Sequence, residues 1–187
     1  MVEREVSRNK KNARLNGAII LFEDEVLFQQ EGTIRQSWAR RGVGFSVFKY
    51  PCKRKIKFYG AVSIERYPRF HFQKVDWFNA KSFEKFLKTL LKSFDKIYLI
   101  LDNARYHKAK ELKPFLDDNK EHLSLYFLPS YSPELNAVEA VWKNTRKDAT
   151  HNRYFPKIKR LTRAVHTRFR IYQNEPSMLA GIIKPFL

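Results

Sequence analysis

Cysteine is almost absent from this chain: Cys52 stands alone among 187 residues. That excludes an internal disulfide framework and a cysteine-based zinc site, and it fits a reducing compartment. Long apolar runs are missing too. No stretch approaches the roughly 20 residues needed to cross a bilayer, and the polar, charged N-terminus carries no signal peptide. No membrane association is expected, and the cytoplasm is the default location. Acid is the third scarcity. The 19 Asp and Glu face 37 Lys and Arg, for a net charge of +18. An excess of this size favours a polyanion bound in a salt-dependent way, nucleic acid before any other, over a merely solvated surface.

The basic residues are unevenly spread. Arg35 to Lys57 holds eight of them and no acid, and Ala140 to Leu187 holds eleven with two acids. A hydrophobic content of 43% is enough for one domain with a proper core. Residues 1–16 are polar, mostly basic and without periodicity, and they read as a tail or linker before a single folded domain, 17–187.

Apolar runs and turn residues predict strands over 17–23, Thr33–Ala39, Lys55–Ile64 and Arg69–Val75. The last two are joined as a hairpin across Glu65–Pro68. Asn79 is placed to cap a helix whose Phe83, Phe86, Leu87, Leu90, Leu91 and Phe94 follow helical spacing. Ile97–Leu101 predicts a central parallel strand, and His107–Leu116 a helix that Pro114 should kink or divide. A strand over Leu123–Leu128, a turn-rich loop over Pro129–Leu135 and a helix from Asn136 to about Asp148 follow. A last helix is striped by Ile158, Leu161, Val165, Phe169 and Tyr172. Early hairpins followed by alternating elements predict an α/β fold, a mixed sheet flanked by helices.

Against the basic background three carboxylates stand out. Asp24 ends one apolar run and Asp102 another, and Glu139 lies just inside the helix after Asn136. The strand that Asp24 ends and the strand that Asp102 ends can lie side by side in such a sheet, with the two acids at their carboxyl ends, where sites form in α/β sheets. Such a pair repels itself unless a cation lies between, and hard oxygen ligands suit Mg²⁺ or Mn²⁺. Each residue also has a plainer reading: Asp24 as a surface acid beside Glu23 and Glu25, Asp102 as a turn or helix cap, Glu139 as half of a capping box with Asn136.

Three stretches at these residues resemble the catalytic domain of DDE transposases of the mariner-like superfamily, in the prokaryotic insertion-sequence (six-thirty group) branch. They are Ile20-Leu21-Phe22-Glu23-Asp24-Glu25, Leu99-Ile100-Leu101-Asp102-Asn103-Ala104-Arg105-Tyr106-His107, and the run from Leu128 to Trp142. The 36 residues between Asp102 and Glu139 are close to that family's spacing, and Ser37–Gly42 is similar to its segment after the first Asp. The resemblance implies an RNase H-like fold and a two-metal site of Mg²⁺ or Mn²⁺ on Asp24, Asp102 and Glu139. It implies DNA as partner, a homodimer on that DNA, and cleavage at transposon ends followed by strand transfer into target DNA, in the nucleoid. Two departures are visible. Ala137 stands where the family usually has proline, and the family's helix-turn-helix region has no counterpart before the first strand; either a separate or frameshifted N-terminal component is expected to supply it, or the chain is a fragment.

Around the triad, Lys143 and Arg146 share a helical face with Glu139 and are candidate phosphate contacts, with surface charge pairs as the alternative. Arg40, Arg41 and the run Lys53-Arg54-Lys55 are candidate contacts to the DNA backbone. Asn103 and His107 are accessory candidates by the matching motif. Trp142 reads first as core packing and second as base stacking. Trp38 reads first as strand packing and second as a base-stacking residue. Two other functions fit the same residues: a DNA-binding transposase remnant without catalysis, and an RNase H-like nuclease acting on hybrids or junctions.

Overall fold

The computed structural model describes residues 12–13, 15–31, 33–36, 38, 40–42, 46–48, 51–129 and 132–187. Its centre is one sheet of five strands: β1 (Ile19–Gln29), β2 (Lys55–Ser63), β3 (Phe70–Val75), β4 (Ile97–Leu101) and β5 (Leu123–Phe127). Their order across the sheet is β3-β2-β1-β4-β5. The β1–β2 and β2–β3 pairs are antiparallel, whereas β1–β4 and β4–β5 are parallel. This is the mixed α/β sheet that the order of apolar runs predicts.

Helix α1 (Ala80–Leu91) covers one face. Its N-terminus is closed by a capping box in which the Asn79 side chain accepts from the Ser82 amide and the Ser82 hydroxyl accepts from the Asn79 amide. Phe83, Phe86, Leu87 and Leu90 are fully buried against Leu21, Tyr59, Leu99 and Leu101. Each such side chain stabilises the fold by about 1.5–3 kcal/mol relative to exposure. The other face is covered by α3 (Ala137–Thr145), α4 (Ile158–Asn174) and α5 (Pro176–Ile182), packed on Ile20, Phe22, Val26, Phe28, Tyr98 and Ile100. Alternation along a strand therefore assigns Ile20, Phe22, Asp24, Val26 and Phe28 to the α3 face, and Leu21, Glu23 and Glu25 to the α1 face.

The structure corrects several sequence expectations. Strand β1 does not end at Glu23 but runs on to Gln29, so Asp24 lies inside it, paired with Gly60. The antiparallel partner β2 carries the ladder through an acidic stretch that interrupts the apolar signal. The described residues of Thr33–Ala39 form no strand. Their backbone is satisfied elsewhere: Asn152 N–H donates to Thr33 O, and the Arg35 amide donates to Asn152 Oδ1. Asn152 does this from a left-handed backbone conformation, φ 56°, which asparagine tolerates.

The expected helix over His107–Leu116 is two 3₁₀ turns, Arg105–Lys108 and Lys110–Leu112, leading into α2 (Lys113–Asp118). Pro114 sits in the first turn of α2, where its missing N–H costs nothing, so it begins a helix and divides none. The helix after Asn136 is regular only to Thr145 and then widens into a π-helical turn, Arg146–Thr150. Ala13, in the segment expected to be a tail, is buried in the α3-face core.

Candidate active site

Strand β4 ends at Leu101, and Asp102 follows at once. The parallel register pairs Phe22 with Ile100, so two residues further along Asp24 comes level with Asp102. The two strands part there, and a cleft of about 390 Å³ opens. Asp24, Asp102 and Glu139 all line it, together with Asn103, Ser132 and Asn136. Oxygens of Asp24, Glu25 and Asp102 lie within 4.8 Å of one another.

Each carboxylate is held from a different part of the chain. Trp142, on α3, donates its indole N–H to Asp24 Oδ2 at 3.0 Å. The ring reaches Asp24 across Gly60: a Cβ added at Gly60 would fall 2.1 Å from the Trp142 ring. Asp102 Oδ1 accepts from the Ala104 amide at 2.8 Å and lies 3.3 Å from His107 Nδ1. Glu139 is presented by α3, whose start Asn136 fixes twice. Asn136 Oδ1 accepts from the Val138 amide, and its Nδ2 donates to Glu23 O at 2.9 Å. The Asn136 amide donates to Pro133 O and not to Glu139, so the capping box open to Glu139 on sequence is not made, and its carboxylate is left to the cleft.

The electrostatics follow from the crowding. Burial, then the charges of Glu25 and Glu139, raise the Asp24 pKa to about 8, against the lowering effect of the Trp142 hydrogen bond. Asp102 is held below its usual value, chiefly by its bond to His107. Burial disfavours the His107 imidazolium, yet contacts with Asp102 and Glu25 and the charge of Glu23 outweigh it and raise the pKa to about 10. Carboxylates gathered this closely must take up protons or share a cation, and an all-oxygen set of this kind is the donor chemistry of Mg²⁺ and Mn²⁺.

Comparison with known proteins gives this arrangement a family. The family described as DDE superfamily endonuclease matches residues 19–162. The chain belongs to that family. Its fold is also that of solved transposase structures. A Mos1 transposase paired-end complex with left transposon end matches with a TM-score of 0.61 at 14% identity, over 98% of this chain and 59% of that one. The mariner Mos1 paired-end complex with Mg matches with a TM-score of 0.60 at 17% identity, over 98% and 58%. The catalytic domain of Mos1 mariner transposase matches with a TM-score of 0.56 at 15% identity, over 98% and 86%. An uncharacterized protein of Sinorhizobium fredii is 47% identical over 57 residues, which are 30% of this chain and 38% of that protein. This DDE endonuclease chain thus spans about three-fifths of the transposase in the paired-end complexes.

Other residues singled out on sequence fall at different depths. Asn103 lines the cleft, donates to Leu128 O and accepts from Lys108 Nζ, which ties the loop after β4 to the end of β5. His107 is buried, not at the cleft surface. Trp38 is fully exposed and packs on no strand, contrary to its first reading. Arg40, Arg41, Lys53, Arg54, Lys55 and Lys143 are exposed, while Arg146 is half-buried with its guanidinium over Phe28. Sequence reasoning named Glu23 and Glu25 only as neighbours of Asp24, and it read Trp142 first as core packing and second as base stacking. The signal for Glu23 and Glu25 was their alternation with Asp24 in a strand; for Trp142 it was its place one turn beyond Glu139 on the same helix. Among the described residues no helix is long and apolar enough to cross a membrane.

Proposed function

We propose that this chain is a transposase catalytic domain that cleaves DNA at transposon ends and transfers the freed strand into target DNA, with Mg²⁺ or Mn²⁺ as cofactor. What carries this is the single cleft that receives Asp24, Asp102 and Glu139 in a chain of the DDE endonuclease family. Asp24 and Asp102 are the residues that would hold the metal ions, with Glu139 completing the site and Glu25 beside it. When bound, the ions supply Lewis acidity at the phosphate and lower the pKa of a water or hydroxyl nucleophile.

The chain's own groups prepare that site. Trp142 fixes the rotation of the Asp24 carboxylate through Oδ2. His107 and Ala104 engage Oδ1 of Asp102 and leave Oδ2 for a ligand. Both displacements at phosphorus are in-line, so one clamp of carboxylates serves cleavage and strand transfer alike. Arg40, Arg41, Lys53, Arg54, Lys55, Lys143 and Arg146 are proposed as contacts to the DNA backbone, which position the duplex without reading its sequence. Exposed Trp38 is proposed to stack on a base. The working assembly is proposed as a homodimer on DNA in the nucleoid, with residues 1–16, anchored on the core through Ala13, as linker to a helix-turn-helix component and 17–187 as the catalytic domain.

The test is nicking of supercoiled plasmid with Mg²⁺ or Mn²⁺ by the native chain, Asp102→Asn and Glu139→Gln. Nicking is expected from the native chain and absent from both variants. Metal-dependent nicking that survives in either variant overturns the assignment.

A further inference from the structure

Behind β1, on the face away from Asp24, lies a second set of donors; of these Glu25 also borders the cleft and His107 also touches Asp102, while Glu23 has no part in the proposed chemistry. Glu23 is fully buried, and neither of its carboxylate oxygens makes a hydrogen bond. His107 Nε2 stands 3.7 Å from Glu23 Oε2 and 3.3 Å from Glu25 Oε1, and neither it nor Glu25 Oε1 makes a hydrogen bond. One donor atom from each of the three residues lies within 4.8 Å of the others. Buried carboxylates without hydrogen bonds are rare, and they either hold a proton or take a compensating charge.

We propose that Glu23, Glu25 and His107 form a further metal site that takes a divalent ion of the Zn²⁺ or Mn²⁺ type in preference to Mg²⁺. Three features support it. Ligands about 2.1 Å from an ion in tetrahedral array stand about 3.4 Å apart, which is the range of the His107–Glu23 and His107–Glu25 separations. The outer nitrogen of His107 is occupied in the manner of a metal-ligating histidine: Nδ1 lies 3.3 Å from both Asp102 Oδ1 and the Asp102 carbonyl, which turns Nε2 toward the two glutamates. The imidazole is also walled by Phe83 and Tyr106, each with ring centroids 4.4 Å away. An imidazole donor suits transition-series ions, whereas Mg²⁺ prefers oxygen alone. An ion here would anchor Glu25 at the border of the cleft and, through His107, the loop that carries Asp102.

The site stands whether or not the chain cleaves DNA, because its test reads metal ligation and not nicking. The metal-free chain is loaded with Mn²⁺ and examined by pulsed electron paramagnetic resonance for the nitrogen coupling of a directly bound imidazole. The proposed reaction centre has no nitrogen ligand, so such a coupling reports the second site. It is expected in the native chain and in Glu139→Gln, and lost in His107→Gln. If His107→Gln does not fold, Glu23→Gln serves: it should weaken the nitrogen-coupled ion by about tenfold or more. No imidazole coupling in the native chain, its persistence in folded His107→Gln, or unchanged affinity in Glu23→Gln overturns the proposal. The pocket then holds protons alone.

Discussion

Asp24 is a carboxylate that its surroundings make reluctant to ionise. Its pKa stands at about 8 in the folded chain, raised first by burial, against about 4 for an unfolded aspartate. The folded state therefore binds this proton more tightly across the interval between, and stability falls as pH rises through it. Burial pushes Glu23 in the same direction, and His107, raised to about 10, adds a further loss above its unfolded value near 6.5. Asp102 is lowered, so its contribution is present above its unfolded value and is lost only in acid. With metal removed by chelation, the urea midpoint of the native chain is expected to fall between about pH 4 and pH 8. Asp24→Asn should flatten that slope; equal slopes in the two proteins would mean that Asp24 ionises freely. Trp142 belongs to the same scale. Trp142→Phe keeps most of the ring volume but removes the donor to Asp24, and should cost about 1 kcal/mol in unfolding experiments while impairing nicking more than its stability loss explains.

At the scale of elements, the site exists because four of them meet at one place: β1 leaves β4, β2 carries β1 onward, and α3 crosses their junction. Gly60 is where β2 admits α3. Gly60→Ala would drive a methyl group into the Trp142 ring, and we expect about 1–3 kcal/mol of destabilisation by denaturant titration, with impaired nicking because the Asp24 hydrogen bond moves with the ring. An unchanged midpoint would show that α3 shifts without cost. Asn136 joins α3 to β1 by capping the helix and donating to Glu23 O. Asn136→Ala removes both interactions and leaves a carbonyl without its partner, for an expected loss of about 1–3 kcal/mol by urea unfolding.

At the scale of the whole molecule, the charge of +18 is the dominant fact outside the cleft. Binding to a polyanion by such a surface is expected to weaken steeply with salt. Replacing Lys53 and Arg54 together by alanine should lower affinity for unrelated DNA sequences alike. It should also reduce the salt slope by about 0.9 for each phosphate that the variant no longer neutralises. Fluorescence anisotropy across a series of KCl concentrations measures this. A slope unchanged in the double variant would place the DNA on another surface.

Much of this architecture was legible in the chain itself. The apolar runs at Ile97–Leu101 and Leu123–Phe127 and the striped helices α1 and α4 are local patterns, because a strand or helix buries one face and its sequence repeats accordingly. Tertiary structure alone decided what depends on distant partners. Trp142 meets Asp24 across 118 positions and Asn136 meets Glu23 across 113. The length of β1, the burial of Glu23, the exposure of Trp38 and the failure of residues 33–36 to join the sheet all turn on which residues lie opposite. A hydrogen bond or a buried charge takes its energy from its partner, and partners so far apart in the chain are chosen only when the sheet closes.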